Sequence, residues 1–416
     1  MGVDYLQTLN PALGLARRVR VLPPDGTKSL LWTVAVDIGQ ERPDETNAGI
    51  DMSWVGAAGV RRAPTFARAA GEAVERRALI PHPGLPNGAG LPMAPRGVSW
   101  ADISALPNVD FYAATRYDGD GTERAVAVPA AAVDFPRAAS PGAQDLFDPS
   151  PSGTAAGINR ATAAQSAAKE IIERHAAMRG WDRPEAALRF DLAEAAFEPD
   201  SGAPGLKSAG PDTRVLDVAK GAASQGVELE LVLLDEPHGH AVWMAVAIDT
   251  KHGVVGAGLG LEHDRFLGVL RAVQESLQIR SLLINMKDSE GERPILPPIT
   301  SEMARARYWA ADASITAIRT WLDRIPRARH FLRSDAEAGA ADGEQGAWLD
   351  ILAGYTLVDL TPRLPQAIKE MGWWAVKIFC DTLQPLRMSE ALEWNVLGAA
   401  AAGNGLPGNT LPHPFI

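Results

Sequence analysis

Two five-residue segments, Glu72-Ala-Val-Glu75-Arg76 and Glu170-Ile-Ile-Glu173-Arg174, repeat one arrangement about a hundred residues apart. In each, two carboxylates stand three positions apart on one helix face, and a guanidinium follows directly. At Glu and Arg usage of roughly 6% each, a chain this long holds about 0.1 such patterns by chance. Like charges at i and i+3 repel, so an acidic pair is best explained where a cation compensates it. Either segment alone reads as a solvated, charge-paired helix face. The duplication argues for more: four carboxylates beside two fixed cations suit hard divalent metals that carry a nucleotide's phosphates.

Helices must position these groups. The first is predicted over residues 64–79, with Pro64 tolerated at its first position. It gathers Thr65, Arg68, Glu72, Glu75, Arg76 and Leu79 on one side. The second is predicted over residues 159–179, with Ser166, Glu170, Glu173 and Arg174 on one side and Ala161, Ala164, Ala168 and Ile172 on the core-facing side. A third, over residues 263–278, sets a polar stripe of Arg271, Glu275 and Gln278 against an apolar one of Phe266, Val269, Leu270, Val273 and Leu277. Arg280 falls off that stripe, beyond the predicted helix end.

Around these helices the chain alternates strands and turns. Strands are predicted at residues 18–22 and 30–38, about the turn Pro23-Pro-Asp-Gly26, with a polar break at residues 41–45. A hairpin over residues 109–116 and 124–128 turns at Asp118-Gly-Asp-Gly121, and a second over 227–235 and 241–249 turns at Glu236-Pro-His-Gly-His240. A short strand at Val254 and Val255, a helix over 303–325, and an alternating end (strand 356–360, helix 364–371, strand 374–378) complete the pattern. Residues 81–95, 138–152, 198–212 and 334–346 read as loops.

The 416 residues, 46% hydrophobic, can bury a large core. A formal charge of −11 argues against a nucleic-acid partner. Cys380 is the single cysteine, which excludes an intramolecular disulfide and a thiolate metal cluster. With no apolar run of membrane-spanning length and no signal peptide, the expectation is a soluble cytoplasmic protein without a membrane partner.

Taken together, the motifs resemble the YcaO-domain family. The doubled Glu-x-x-Glu-Arg segment resembles its ATP and magnesium signature, as does Ala155-Ala-Gly157 ahead of the second copy. Arg271-Ala-x-x-Glu275-x-x-Gln278-x-Arg280 is similar to its third motif. Val358-Asp-Leu-Thr361, Leu383-Gln-Pro-Leu386 and Pro412-His-Pro-Phe415 resemble its C-terminal segments. The likeness runs in order from about Gly56 to Ile416. It implies an α+β fold of mixed, largely antiparallel sheets with packed helices, in which residues 1–45 are N-terminal strands joined to a catalytic domain over 46–416.

The resemblance also implies a function: ATP-dependent attack on a backbone amide of a ribosomally made precursor peptide. In the cyclodehydratase branch a Cys, Ser or Thr side chain attacks the preceding carbonyl. ATP phosphorylates the resulting oxyanion, and phosphate leaves as a thiazoline or oxazoline closes. On this reading Glu72, Glu75, Glu170 and Glu173 hold magnesium, and Arg174 and Arg76 clamp phosphate oxygens. Ala155, Gly157, Asn159, Arg271, Glu275, Gln278 and Arg280 contribute nucleotide contacts. The family's proline-bearing tail near the active site corresponds to Pro412, Pro414 and Ile416, the last standing where a proline is usual. Such a tail is expected to dock without forming core. Implied partners are the precursor peptide, a leader-binding E1-like or related protein, and a flavin-dependent azoline dehydrogenase; a homodimer is the common state of such enzymes.

Several positions depart from the family pattern. Ile158 stands where Asn is common, with Asn159 one place late. Thr162 stands for an acid, Ala58 for a Lys and Arg68 for a Ser. These leave open a YcaO enzyme of another branch, forming a thioamide or an amidine, and a non-catalytic ATP-binding scaffold. Other signals carry less. Asp120-Gly-Thr-Glu123-Arg124 imitates the repeated segment but falls in a turn. His238 and His240 lack a nearby third zinc ligand in sequence. Gly256-Ala-Gly-Leu-Gly260 lacks the spacing of a dinucleotide loop. Cys380, Trp373 and Trp374 read as buried packing residues.

Overall fold

The computed structural model describes residues 3–39, 53–81, 84–95, 109–135, 150–190, 192, 211–291, 297, 299, 301–328, 348–390 and 411–416. The expected polar break at 41–45 lies outside them, as do residues 138–149, 198–210 and 334–346 of the expected loops.

Three sheets organise the described chain. The first runs β1 (Arg18–Leu22), β2 (Trp32–Asp37), β3 (Trp54–Gly59). Next along the chain come β4 (Phe111–Asp118), β5 (Glu123–Pro129), β6 (Thr154–Gly157), β7 (Leu188–Phe190), β8 (Val227–Asp235), β9 (Val242–Asp249), β10 (Val254–Leu261), β11 (Gly354–Asp359) and β12 (Trp374–Cys380). They form a second sheet in the order β5-β4-β11-β12-β6 and a third in the order β10-β9-β8-β7. Every paired strand is antiparallel to its neighbour, and long helices pack on the sheets, as the α+β expectation requires. Residues on both sides of position 45 build one core: Val34 and Val36 pack in the same cluster as Val74, Leu79 and Leu364. Among the described residues, no helix is long and apolar enough to cross a membrane.

Both predicted hairpins form, the first turning at Gly121 with φ +84°. Strand β10 is longer than predicted. Its glycines Gly256, Gly258 and Gly260 face the helix Arg265–Glu290, and a Cβ on any of them would run into that helix's backbone, at Ser276, Ala272 and Gly268 respectively. Strand and helix therefore touch backbone to backbone, which is the reason for glycine at alternate positions of a strand.

The same helix outlasts its predicted end by twelve residues, since Ile279, Leu283 and Ile284 continue the buried face. The predicted helix 303–325 instead divides into Glu302–Trp309 and Ala313–Leu322. Residues twelve apart on an unbroken helix point about 120° apart. The break turns both Trp309 and Trp321 onto Trp181, at ring-centroid distances of 6.1 and 4.6 Å.

Candidate active site

The helices Arg62–Leu79 and Arg160–Asp182 carry the repeated segments, and both lie against β6. Asn159 caps the second helix, its side chain accepting the Thr162 N–H at 2.8 Å. The alanine side is buried at Ala163, Ala164, Ala167 and Ala168. Ala161, expected to face the core, is exposed because the buried stripe is centred one position earlier in the turn.

The two segments are geometric copies. Arg76 Nε donates to Glu72 Oε1 at 2.7 Å, and Arg174 Nη2 pairs with Glu170 Oε1 at 2.8 Å, each four residues apart. Gly153 adds a backbone N–H to Glu170 Oε2 at 2.7 Å. Its φ of +78° and the absence of room for a Cβ beside Ile378 and Ile171 make glycine the residue that position needs. A third helix, Arg265–Glu290, brings in Glu275, which accepts the Leu259 N–H at 2.6 Å. Further along, Glu262 takes Lys169 at 2.8 Å and Arg271 at 2.9 Å.

Electrostatics ties these groups into one recess. Dense surroundings, then Glu72 and Glu170, hold the Glu75 carboxyl well above the ordinary range. Enclosure and then Glu275 push Glu173 up to about 8. Enclosure likewise raises Glu275 to about 7, against the opposing pull of the Leu259 N–H and of Arg174. The five glutamates nevertheless keep solvent contact, as expected for side chains in a concave site that is crowded by protein on most sides. The five carboxylates thus act on one another, with Arg76, Arg174, Lys169 and Arg68 opposing them, and the balance raises the proton affinity of Glu75, Glu173 and Glu275.

Among the described residues, no three His, Cys, Asp or Glu groups close on a single point. The glutamates converge on one recess, but Glu72 and Glu170 are engaged by their own arginines. An all-carboxylate donor set with surplus negative charge fits a hard divalent cation and the phosphates it carries.

The other candidates separate into two groups. Ala155 and Gly157 lie in β6 beside the recess. Arg271 borders it through Glu262. Gln278 accepts the Ala58 N–H at 2.8 Å, and Arg68 donates to Ala58 O and, at 3.0 Å, to Gln274 Oε1. Arg280 stands apart. It lies inside the helix rather than beyond its end, fully buried, with Nε on Asp249 at 2.7 Å and Nη1 on the Lys28 carbonyl at 2.9 Å. That ion pair joins β9 to the helix.

The tail departs from expectation. Pro412, His413, Pro414 and Phe415 are buried and Ile416 is half-buried. The His413 carbonyl accepts from Arg305 Nη1 and Trp309 Nε1, both at 3.1 Å, and the Leu411 carbonyl accepts from Trp181 Nε1 at 2.9 Å. Arg305 also holds Glu390 at 2.6 Å, and Arg387 holds Asp182 at 2.7 Å. Burial, then Arg305 and Arg387, keep His413 neutral, and Arg174 adds to the same effect. The tail is core, and it runs behind Arg174.

Sequence reasoning overlooked Ser152. Its Oγ accepts Arg174 Nη1 at 3.0 Å and the Leu386 N–H at 3.2 Å. It also overlooked His175, whose Nδ1 accepts the Gln384 N–H at 2.8 Å and which burial lowers to about 4. His175, next to Arg174 on the helix Arg160–Asp182, offered that adjacency as a signal; Ser152, in a loop 22 residues away, offered none.

The model of the YcaO cyclodehydratase family, described as ATP- and Mg2+-binding, matches residues 112–383, about two thirds of the chain. No curated protein sequence matches. Among solved structures, YcaO from Methanopyrus kandleri bound with AMPPCP and Mg2+ aligns with a TM-score of 0.60 at 14% identity, over 99% of this chain and 96% of that one. The E. coli microcin synthetase McbBCD complex with pro-MccB17 bound aligns with 0.64 at 12% identity, over 96% of each chain. A heterocyclase in complex with substrate and cofactor aligns with 0.65 at 14% identity, over 99% of this chain but 56% of its own length.

Proposed function

This chain belongs to the YcaO family, and from that premise we propose that it is the ATP-dependent cyclodehydratase subunit that forms thiazoline or oxazoline rings in a ribosomally made precursor peptide. The family is an ATP- and Mg2+-binding one. The observation that supports the reading here is the mutual influence of Glu72, Glu75, Glu170, Glu173 and Glu275 from three helices, which raises the proton affinity of Glu75, Glu173 and Glu275 as crowded carboxylates without a cation require.

In the proposed reaction a Cys, Ser or Thr side chain adds to the preceding carbonyl carbon. The former amide oxygen receives the γ-phosphoryl group of ATP and departs as phosphate while the ring nitrogen–carbon double bond forms. Bound Mg2+ would neutralise the triphosphate and orient its terminal phosphoryl group. Glu72, Glu75, Glu170 and Glu173 are the proposed ligands. Arg174 and Arg76, released from their intrahelical partners, are proposed to take phosphate oxygens by paired N–H donors. Gly153 and Ser152 keep Glu170 and Arg174 in register. A leader-binding partner protein is proposed to deliver the peptide.

Because the tail is core, it does not separate ring closure from thioamide or amidine formation. Mass does. After incubation with partner protein and Mg2+–ATP, the cognate precursor is expected to lose about 18 Da per modified Cys, Ser or Thr. A gain of about 16 Da would indicate oxygen-to-sulfur exchange instead. An unchanged mass with nucleotide bound would favour the scaffold.

A further inference from the structure

Beside Ser152, the partner of Arg174, lies a partly open cavity of about 40 Å³. The geometry points to this cavity as the seat of the small side chain that reacts, a Cys, Ser or Thr of the substrate peptide. This deepens the reading above and rests on it.

Size comes first. One water needs roughly 10–15 Å³ of such free volume, so the cavity takes about three non-hydrogen atoms. That is the content of a Cys, Ser or Thr side chain and much less than that of Leu, Phe or Trp.

The chemistry of the lining agrees. Ile171, Phe379 and Leu383 give apolar walls for a methylene or methyl group, while Ser150, Ser152 and Lys377 give polar ones. The two hydroxyls lie 2.8 Å apart, and Lys377 Nζ donates to the Ser150 carbonyl at 2.7 Å and the Val133 carbonyl at 3.3 Å. Ser152 Oγ already accepts from Ser150, Arg174 and the Leu386 N–H, so its own O–H is left to donate to a nucleophilic heteroatom placed there, and Lys377 favours negative charge on that atom.

Position completes the case. Ser152 is both a wall of the cavity and the partner of Arg174, whose other terminal nitrogen pairs with Glu170. A side chain in the cavity therefore lies one guanidinium away from the proposed phosphate site. The backbone amide it attacks would stand at the boundary between the two, where phosphoryl transfer must occur.

Cys380 lines the cavity and is the chain's single cysteine, so a thiol reagent reads it directly. The test is the rate at which methyl methanethiosulfonate labels Cys380 of the full chain, followed by intact mass. With tens of millimolar N-acetyl-threonine methylamide present, labelling is expected to slow at least about three-fold, whereas N-acetyl-phenylalanine methylamide leaves the rate unchanged. Ala132→Leu fills the cavity from a wall outside the nucleotide machinery. It is expected to abolish the protection while Mg2+–ATP affinity, measured by calorimetry, stays within two-fold of wild type. Equal protection by both amides, protection by neither, or a wild-type thiol that the reagent never reaches would overturn the cavity assignment. Loss of Mg2+–ATP binding in the wild type would instead overturn the functional reading, so the two failures are distinguishable. Ser150→Val provides a second cavity-filling variant should Ala132→Leu fail to fold.

Discussion

The acidic recess and the buried tail anchor are built from the same residue types to opposite effect. Around the tail, Arg305 meets Glu390, Arg387 meets Asp182, and the terminal nitrogens of Arg305 also reach the carbonyls of Arg387, Met388 and His413. Charge is matched there, with Arg305 and His413 wholly withdrawn from solvent. In the recess, the carboxylates crowd one another, so that Glu75, Glu173 and Glu275 are raised above the ordinary range while keeping solvent contact. A balanced ionic cluster holds segments together; an unbalanced one is held ready for something that arrives with charge.

That contrast can be broken at either end. The largest effect is expected from Arg305→Ala, which leaves Glu390 and three carbonyls without their buried partner and should lower stability by about 3–5 kcal/mol in urea denaturation. Removal of residues 412–416 should destabilise in the same direction, with activity lost through unfolding. Retention of wild-type stability by either variant would refute the anchor role.

Glu173→Gln should do the reverse. ATP consumption is expected to fall roughly 100-fold or more, with the melting temperature equal to or above wild type, because one surplus charge is gone. Normal ATP turnover in that variant would remove Glu173 from the metal site.

A smaller, pH-dependent effect follows from the same surplus. Glu173 titrates near 8 in the folded protein against an ordinary 4.5, so between those values the folded state binds more protons than the unfolded one. Stability from this group is fully present below about pH 4.5 and declines as pH rises towards 8. Melting temperature should therefore drop more steeply over this window in wild type than in Glu173→Gln, and Mg2+–ATP should offset the drop. Parallel curves for the two proteins would contradict it.

The smallest expected effect is at Asn159. Asn159→Ala should cost about 1 kcal/mol as a lost helix cap, and Asn159→Ser should restore it. Weaker nucleotide binding in both variants would show that Asn159 does more than cap.

Much of the architecture was legible because it is local. The hairpins announce themselves through Asp118-Gly-Asp-Gly121 and Glu236-Pro-His-Gly-His240, and the glutamate helices through their polar stripes, with Pro64 near the start of the first. What escaped was non-local. Gly256, Gly258 and Gly260 carry no strand signal of their own, and their place in β10 makes sense only with a helix backbone laid against them. The break after Trp309 makes sense only with Trp181 in view. Arg280 seemed a loose end of a motif until Asp249 was placed beside it.

The sequence by itself determined the repeated Glu-x-x-Glu-Arg segments, the helices that carry them and the family to which the chain belongs, since each depends on spacing along one stretch of chain. Only the tertiary structure decided that Glu275 shares a recess with the other glutamates, that Ser152 stands behind Arg174, and that Pro412 to Phe415 are core. Charge surplus, enclosure and burial are sums over neighbours in space, and no periodicity along a chain records which distant groups will be those neighbours.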